Sequence, residues 1–171
     1  MPKSGQSGVV LPVPAADPVL DRVRERYPGL VREVPAHVSV LYPFLDVDVL
    51  TPDDLTALDD IFTSQAPLDV SFATCAGHGG FVYLPPEPVE ALDALSVEVQ
   101  EHWPQLLPYG GAYGRPRPHL TIVMGADEPT AARVSEDVRA HLPLHATLGE
   151  AWLVVFTDHW SVHRRFRLDG R

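Results

Sequence analysis

The chain runs twice through the same order of secondary-structure patterns, and this repetition constrains its fold more than any other feature. Alternating apolar and polar residues predict strands, and apolar residues at helical spacing predict helices. The first half contains a strand at 8–13, a helix opened by Asp17 as N-cap with Pro18, a strand beginning at His37, a helix opened by Thr51 and Pro52, and a strand at 68–76. The second half contains a strand at 79–84, a helix at about 88–103, a strand at 118–122, a helix opened by Asp127, Glu128 and Pro129, and strands at about 145–156 and 160–168. Each half therefore contains the order β-α-β-α-β, which one more strand follows in the second half, and the similarity is one of element order and not of residue-by-residue sequence.

The length of the chain limits how these two halves can be organised. A chain of 171 residues is long enough to bury a sizeable interior and fits one domain, or two small lobes that share a core. We therefore expect a single domain over residues 1–171, divided into lobes of about 1–76 and 77–171, and we expect a monomer.

The third element of each half carries a histidine and a hydroxyl two residues apart. These are His37 and Ser39 in the first half and His119 and Thr121 in the second. Side chains alternate between the two faces of a strand, so each pair projects from one face while the apolar neighbours lie on the other. An imidazole and a hydroxyl can then enter one cleft together.

The four-residue pattern is not specific by itself. It occurs again at His145-Ala146-Thr147-Leu148 and at His159-Trp160-Ser161-Val162, and the chain has eight histidines. Only His37 and His119 occupy equivalent places in the two halves. Periodicity alone favours two strand histidines that are satisfied by their neighbours over a catalytic pair.

Charge and composition exclude several classes of protein. A net charge of −10 argues against an extended binding surface for duplex nucleic acid, because such a surface needs many phosphate contacts. Residues 109–125 nevertheless contain two arginines and no acid, which favours a small anionic ligand near His119. A single cysteine, Cys75, allows neither an internal disulfide nor a cysteine-based zinc cage, and we expect a buried, inert thiol.

No segment of the sequence has the features of a membrane span or of an export signal. The longest clean apolar run, from Trp152 to Phe156, is too short to span a bilayer. Residues 9–16 faintly resemble the apolar region of a signal peptide, but prolines interrupt them and no good cleavage site follows. We expect a cytoplasmic protein.

A long connector, residues 104–118, separates the helix at 88–103 from the strand of His119. It contains Tyr109-Gly110-Gly111-Ala112-Tyr113-Gly114, whose glycine spacing does not match a phosphate-binding loop. Long loops in compact domains are often functional, so the connector is either a lid that contacts substrate or a surface excursion.

Two segments resemble the signature motifs of the 2H phosphoesterase superfamily. These are AHVSVLYPF at 36–44 and PHLTI at 118–122, and the nearest branch is the bacterial 2′-5′ RNA ligase-like proteins, which include RNA cyclic phosphodiesterases. The resemblance covers nearly the whole chain. It implies an α+β, bilobal fold with pseudo-two-fold symmetry, in which two antiparallel sheets line a central groove and the helices lie outside. It also implies that His37 and His119 are catalytic.

The chemistry of a cyclic phosphodiesterase suits these residues. Opening a 2′,3′-cyclic phosphate requires a base that activates water and an acid that protonates the departing sugar oxygen, and histidine can fill either role near neutral pH. Ser39 and Thr121 can donate hydrogen bonds to the non-bridging phosphate oxygens. No metal or cofactor is expected, and the sequence does not say which histidine is the base.

Three further residues are candidate substrate contacts. Tyr42 and Tyr113 could stack on a base, and Arg117 could bind phosphate, although the sequence favours packing for the tyrosines and a solvated loop position for the arginine. The expected ligands are a small cyclic phosphate, a nucleotide or a short RNA end, without a long duplex or a membrane.

Two other classes of function stay open at this stage. One is a catalytically silent protein that binds nucleotides or RNA ends in the same groove. The other is a histidine-based metal protein, which would need three or four converging ligands. The direction of the reaction, hydrolysis or 2′-5′ ligation, is also open.

Overall fold

The computed structural model of the chain describes residues 2–112 and 114–171. In these ranges the strands are β1 (Ser7–Pro12), β2 (His37–Leu41), β3 (Leu68–Phe72), β4 (Ala76–His78), β5 (Phe81–Leu84), β6 (Leu120–Val123), β7 (Leu144–Leu148), β8 (Glu150–Phe156) and β9 (Trp160–Arg167). The helices are α1 (Asp17–Arg26), α2 (Pro52–Ser64), α3 (Glu90–His102) and α4 (Glu128–Arg139).

The strands form two antiparallel sheets, which confirms the predicted α+β fold. The larger sheet has seven strands in the order β4-β5-β6-β2-β1-β8-β9, and the smaller consists of β3 and β7. The segments β1-α1-β2-α2-β3 and β5-α3-β6-α4-β7 take equivalent places, because β2 and β6 are neighbours, β1 and β5 flank them, and β3 pairs with β7. The proposed division into lobes near residue 76 stays a prediction.

The centre of the larger sheet is its weakest junction. Within the described residues β2 and β6 pair at one position, where Val38 lies opposite Leu120. By contrast, β1 pairs with β8 at four positions and with β2 at four. The two parts of the sheet therefore meet at a narrow contact and can diverge into a groove around it.

The hydrophobic core lies on one face of this sheet. Val38 and Leu120, at the central contact, are 1% and 0% exposed. Helix α3 packs on β2, α2 on β9 and α4 on β5, and Phe62 of α2 contacts Phe166 of β9 with ring centroids 5.7 Å apart. We call the opposite side of the sheet, on which His37 and Ser39 lie, the groove face.

Local capping signals in the sequence position two of the helices as predicted. Thr51 accepts a hydrogen bond from the Asp54 backbone N–H, and Asp54 accepts one in return from the Thr51 backbone, so a complete capping box precedes α2. Asp127 caps α4 by accepting from the Thr130 backbone N–H at 2.8 Å.

No helix in residues 2–112 and 114–171 has the length and apolar content needed to cross a membrane.

Asp17 is not the N-cap that the sequence predicts. The cap position of α1 is Ala16, and Asp17 is the first residue of the helix. Its carboxylate instead accepts a hydrogen bond from the backbone N–H of Ala36, 2.7 Å away and immediately before β2. The side chain that was expected to begin a helix therefore fixes the start of the strand that carries His37.

Two predicted strands are each interrupted. The strand predicted at 68–76 ends at Phe72, and Cys75 lies in the following loop, where its thiol is buried and its pKa is raised by that burial. The strand predicted at 145–156 divides at Gly149 into β7 and β8, which belong to different sheets. Both interruptions allow the chain to leave one sheet and join the other.

Candidate active site

The two predicted histidines lie at the central contact of the larger sheet. His37 is the first residue of β2, and His119 immediately precedes β6. Extending the antiparallel register of Val38 and Leu120 by one residue each way places His37 opposite Thr121 and Ser39 opposite His119. Each histidine therefore faces the hydroxyl of the other motif, with all four side chains on the groove face.

Both imidazoles are held by the same backbone contact. The Nδ1 atom of His37 lies 2.9 Å from the carbonyl oxygen of Pro35, and Nδ1 of His119 lies 2.7 Å from that of Arg117. A carbonyl oxygen only accepts hydrogen bonds, so each Nδ1 carries a proton and donates it. In both rings Nε2 is therefore the atom that can exchange a proton with a substrate, as an acceptor when the ring is neutral and as a donor when it is charged.

The peptide group behind His37 has a further partner. The carbonyl of Pro35 and the N–H of Ala36 belong to one peptide plane, and Asp17 Oδ1 accepts from that N–H. A carboxylate, a peptide and an imidazole are thus connected in series, and such chains strengthen by mutual polarisation. The equivalent peptide behind His119 ends at Pro118 and has no N–H to donate.

The environment of His37 favours its neutral form. Desolvation is the main reason that the pKa of His37 is lowered from 6.5, and the positive charges of Arg32 and His119 add to the effect. The Pro35 carbonyl and the Asp17 carboxylate act in the opposite direction without reversing it. At pH 7 His37 therefore presents the lone pair of Nε2.

An aromatic wall supports His119. Its ring contacts Phe81 and Tyr83 edge to face, with centroids 5.5 Å and 5.6 Å away, and the latter two rings stack on each other. Tyr83 is also the cross-strand partner of Thr121. This packing limits the orientations open to the imidazole.

A cavity adjoins the site where β2 ends and the connector approaches β6. Ser39 and His119 line it, together with the predicted contacts Tyr42 and Arg117. The remaining lining residues include Ser96, Gln100, Tyr109 and Arg115. The connector is anchored here by the Tyr109 backbone N–H, which donates to the Tyr42 carbonyl at 2.8 Å. Tyr113, the third predicted contact, lies outside the described residues, and a lid role for the connector stays a prediction.

Tyr42 is held on the groove face by aromatic neighbours. Its ring centroid lies 5.9 Å from those of both Tyr109 and Trp160. The ring also covers Gly8, where an added Cβ would lie only 2.8 Å from Tyr42 Cδ2. A residue larger than glycine would displace the ring from its position beside the cavity.

Arg32 is the site residue that sequence reasoning missed. Its guanidinium lies over the Tyr42 ring, 5.9 Å from the centroid, and donates to Met124 Sδ at 3.3 Å. Among residues 2–112 and 114–171 no carboxylate lies within ion-pair distance of it, and this exposed arginine contacts an aromatic face and a thioether instead. It lies in an irregular segment five residues before His37, and no local pattern marked it.

The other two copies of the histidine pattern lie elsewhere. His145 belongs to β7 in the smaller sheet, where it lines a surface hollow with Asp69, Ser71, Glu87 and Thr147. His159 lies at the β8–β9 turn, where its Nδ1 atom is 2.6 Å from Asp158 Oδ1. Within the described ranges, no three His, Cys, Asp or Glu side chains converge as a metal site would require.

Comparison with known proteins identifies one matching family and several solved structures that have a similar fold. A model of the 2′-5′ RNA ligase superfamily matches residues 11–160. E. coli LigT in its apo form is 15% identical, with a TM-score of 0.63 over 98% of this chain and 99% of LigT. LigT has also been solved with 3′-AMP, at a TM-score of 0.62 to this chain. TT0787 of Thermus thermophilus is 17% identical, with a TM-score of 0.62 over 97% of this chain and 99% of its own. No curated protein matches at the level of sequence.

Proposed function

Since the chain belongs to the 2′-5′ RNA ligase superfamily, we propose that it opens the 2′,3′-cyclic phosphate of a nucleotide or short RNA end by two-histidine acid-base catalysis. The observation that carries this proposal is the matched pair of imidazoles. Each donates Nδ1–H to the carbonyl two residues before it, and each lies opposite the hydroxyl of the other motif when the Val38–Leu120 register is extended by one residue. LigT, which shares the fold, has been solved with 3′-AMP, ATP, NADP+ and phosphate, so a nucleotide ligand suits this groove.

In the proposed reaction His37 is the general base. Its lowered pKa keeps Nε2 unprotonated at neutral pH, so this atom accepts a proton from the attacking water as the new P–O bond forms. His119, with its Nδ1–H held by the Arg117 carbonyl, donates a proton from Nε2 to the 3′ oxygen as the P–O3′ bond breaks. The product is a 2′-phosphate, and a 5′ hydroxyl in place of water would give a 2′-5′ phosphodiester by the same route.

The hydroxyl and guanidinium groups would stabilise the phosphate. Ser39 and Thr121 would donate hydrogen bonds to its non-bridging oxygens, where charge increases in the transition state. Arg32 supplies a positive charge that no carboxylate of the described residues neutralises, and Arg117 lines the adjoining cavity. Acid, base and charge stabilisation are then all provided by side chains, so we propose a reaction that needs no metal.

The test is turnover of 2′,3′-cyclic mononucleotides and a short RNA ending in a cyclic phosphate, with EDTA present. We expect 2′-phosphate products from the wild-type protein and a loss of at least roughly a hundredfold in kcat in both His37→Ala and His119→Ala, in line with the usual contribution of a positioned acid or base. His145→Ala and His159→Ala are matched controls, because they remove a histidine from the same sequence pattern outside the groove.

Two outcomes would contradict this proposal. Equal activity in His37→Ala and wild type would remove His37 from the mechanism. A folded wild-type protein that binds a nucleoside 2′-monophosphate but turns over no cyclic phosphate would instead be a silent binding protein.

A further inference from the structure

A row of paired residues on the groove face connects the proposed active site with the far edge of the sheet. Ser39 pairs with Val10, Val10 with Trp152, and Trp152 with Arg165, across four consecutive strands. Directly paired residues of antiparallel strands project from the same face. With strands spaced about 4.8 Å apart, Trp152 lies on the order of 10 Å from Ser39 and Arg165 on the order of 14 Å.

The outer end of this row is an aromatic and cationic pair. The Arg165 guanidinium lies over the Trp152 indole, 4.9 Å from the ring centroid. Glu150 accepts a hydrogen bond from Trp152 Nε1 at 3.3 Å and lies 3.7 Å from Arg165 Nη1. The Arg165 side chain is 60% exposed, and an ion pair this exposed is weak enough to be exchanged for another anion.

Arg167 adds a second positive charge to the same surface. It pairs with Glu150, two residues along from the Trp152–Arg165 pair, so it projects from the groove face as well. Arg164 pairs with Leu153 and therefore lies on the opposite face, where its guanidinium is 5.8 Å from the Phe166 ring. The chain has a net charge of −10, so an arginine pair beside a half-buried indole is a local exception to its acidic character.

We propose that this surface, formed by Trp152, Arg165 and Arg167, binds the single-stranded ribonucleotides on the 5′ side of the terminal cyclic phosphate. The inference rests on the proposed function and specifies its substrate as an RNA end in preference to a free mononucleotide. Bases stack on aromatic side chains and phosphates pair with arginine in single-strand recognition. The cyclic phosphate is the 3′ end of its chain, so every further nucleotide lies on the 5′ side and can follow the row from Ser39 towards the edge strand.

The test compares two substrates with the same terminal nucleotide, a 2′,3′-cyclic mononucleotide and a tetranucleotide ending in that cyclic phosphate. We expect the tetranucleotide to have the higher kcat/KM in the wild type. In Arg165→Gln and Trp152→Ala the ratio of the two kcat/KM values should fall by about tenfold, within the range of a lost stacking or phosphate contact. The salt dependence of tetranucleotide turnover should also become shallower in Arg165→Gln, because one phosphate contact fewer releases fewer counterions.

Arg164→Gln is the matched control, since it removes the neighbouring arginine from the other face. An equal fall in the ratio for Arg164→Gln would overturn the proposal, because the effect would then be one of overall charge. Mononucleotide and tetranucleotide turnover falling together in Trp152→Ala would also overturn it, by placing the indole beside the terminal nucleotide.

Failure of the proposed function gives a different result from failure of this inference. If the wild type turns over neither substrate, the hydrolase proposal is wrong, but the surface can still be tested by binding. A tetranucleotide ending in a 2′-phosphate should then bind more tightly than the matching mononucleotide, and Arg165→Gln should abolish the difference. Equal affinity of the wild type for both ligands would overturn the inference.

Discussion

The hydrogen bond from the Ala36 backbone N–H to Asp17 supports a quantitative prediction about stability and catalysis. In Asp17→Ala the N–H of a partly buried peptide group loses a charged acceptor at 2.7 Å. Removing a hydrogen bond to a charged group costs about 1.5–3 kcal/mol, and we take about 2 kcal/mol for this partly buried contact. For a chain of this length, each kcal/mol corresponds to about 2–4 °C, so Tm should fall by about 4–8 °C.

The same substitution should also affect the proposed reaction. The freed peptide carries the Pro35 carbonyl that orients His37, and a misplaced base lowers catalysis even when the protein is folded. We therefore expect kcat/KM on a cyclic nucleotide to fall by roughly tenfold, as an order-of-magnitude value for modest misplacement. Asp17→Asn keeps an acceptor oxygen and should fall between wild type and Asp17→Ala in both measurements.

Thermal unfolding followed by circular dichroism, with kinetics at a temperature where both proteins are folded, measures the two effects. Asp21→Ala is the matched control on the same helix, because Asp21 is 65% exposed and pairs only with Arg24 among the described residues, a contact worth about 0–1 kcal/mol. A Tm in Asp17→Ala no lower than in Asp21→Ala would refute the structural reasoning. A lowered Tm with an unchanged kcat/KM would refute the connection between Asp17 and the position of His37.

Four further predictions concern the groove and its scaffold. The acid limb of the kcat/KM profile should lie below pH 6.5, the ordinary pKa of histidine, because the pKa of His37 is lowered. Arg32→Gln removes a positive charge near His37 and should move this limb to higher pH. An unmoved limb would contradict the assignment of His37 as the base. The free energy of unfolding should also decrease as the pH falls below about 6.5, because His37 takes up a proton more readily in the unfolded chain than in the folded one. Urea titrations at several pH values measure this dependence, and His37→Gln should reduce it. Gly8→Ala should displace the Tyr42 ring, because its Cβ would lie 2.8 Å from Cδ2, at about 1–3 kcal/mol of stability with a raised KM; unchanged Tm and KM would refute this packing. Thr51→Ala should lower Tm by about 2–4 °C through loss of roughly 1 kcal/mol of capping with kcat/KM unchanged, and an unaltered Tm would contradict the capping box.

Sequence information was sufficient wherever a feature depends on neighbours along the chain. The caps at Thr51 and Asp127 are made by residues three positions away, so the chain itself specifies them. The shared face of His37 and Ser39 follows from strand alternation in the same way. That these two histidines, and not His145 or His159, form a pair was first indicated by their equivalent places in the two halves, and the central position of β2 and β6 gives the spatial reason.

The tertiary structure decided whatever depends on contacts between distant segments. Asp17 had two available roles, a helix cap or an acceptor for Ala36, and only the packing of α1 beside β2 selects the second. The sequence predicts one strand at 145–156, and its division at Gly149 follows from tertiary pairing, because β7 pairs with β3 whereas β8 pairs with β1. Arg32 has no local signature, because its significance comes from Tyr42, Met124 and the absence of a carboxylate partner among the described residues. The sequence thus determined the elements and the catalytic candidates, whereas tertiary packing determined which charges surround them, since electrostatic interactions act through space and not along the chain.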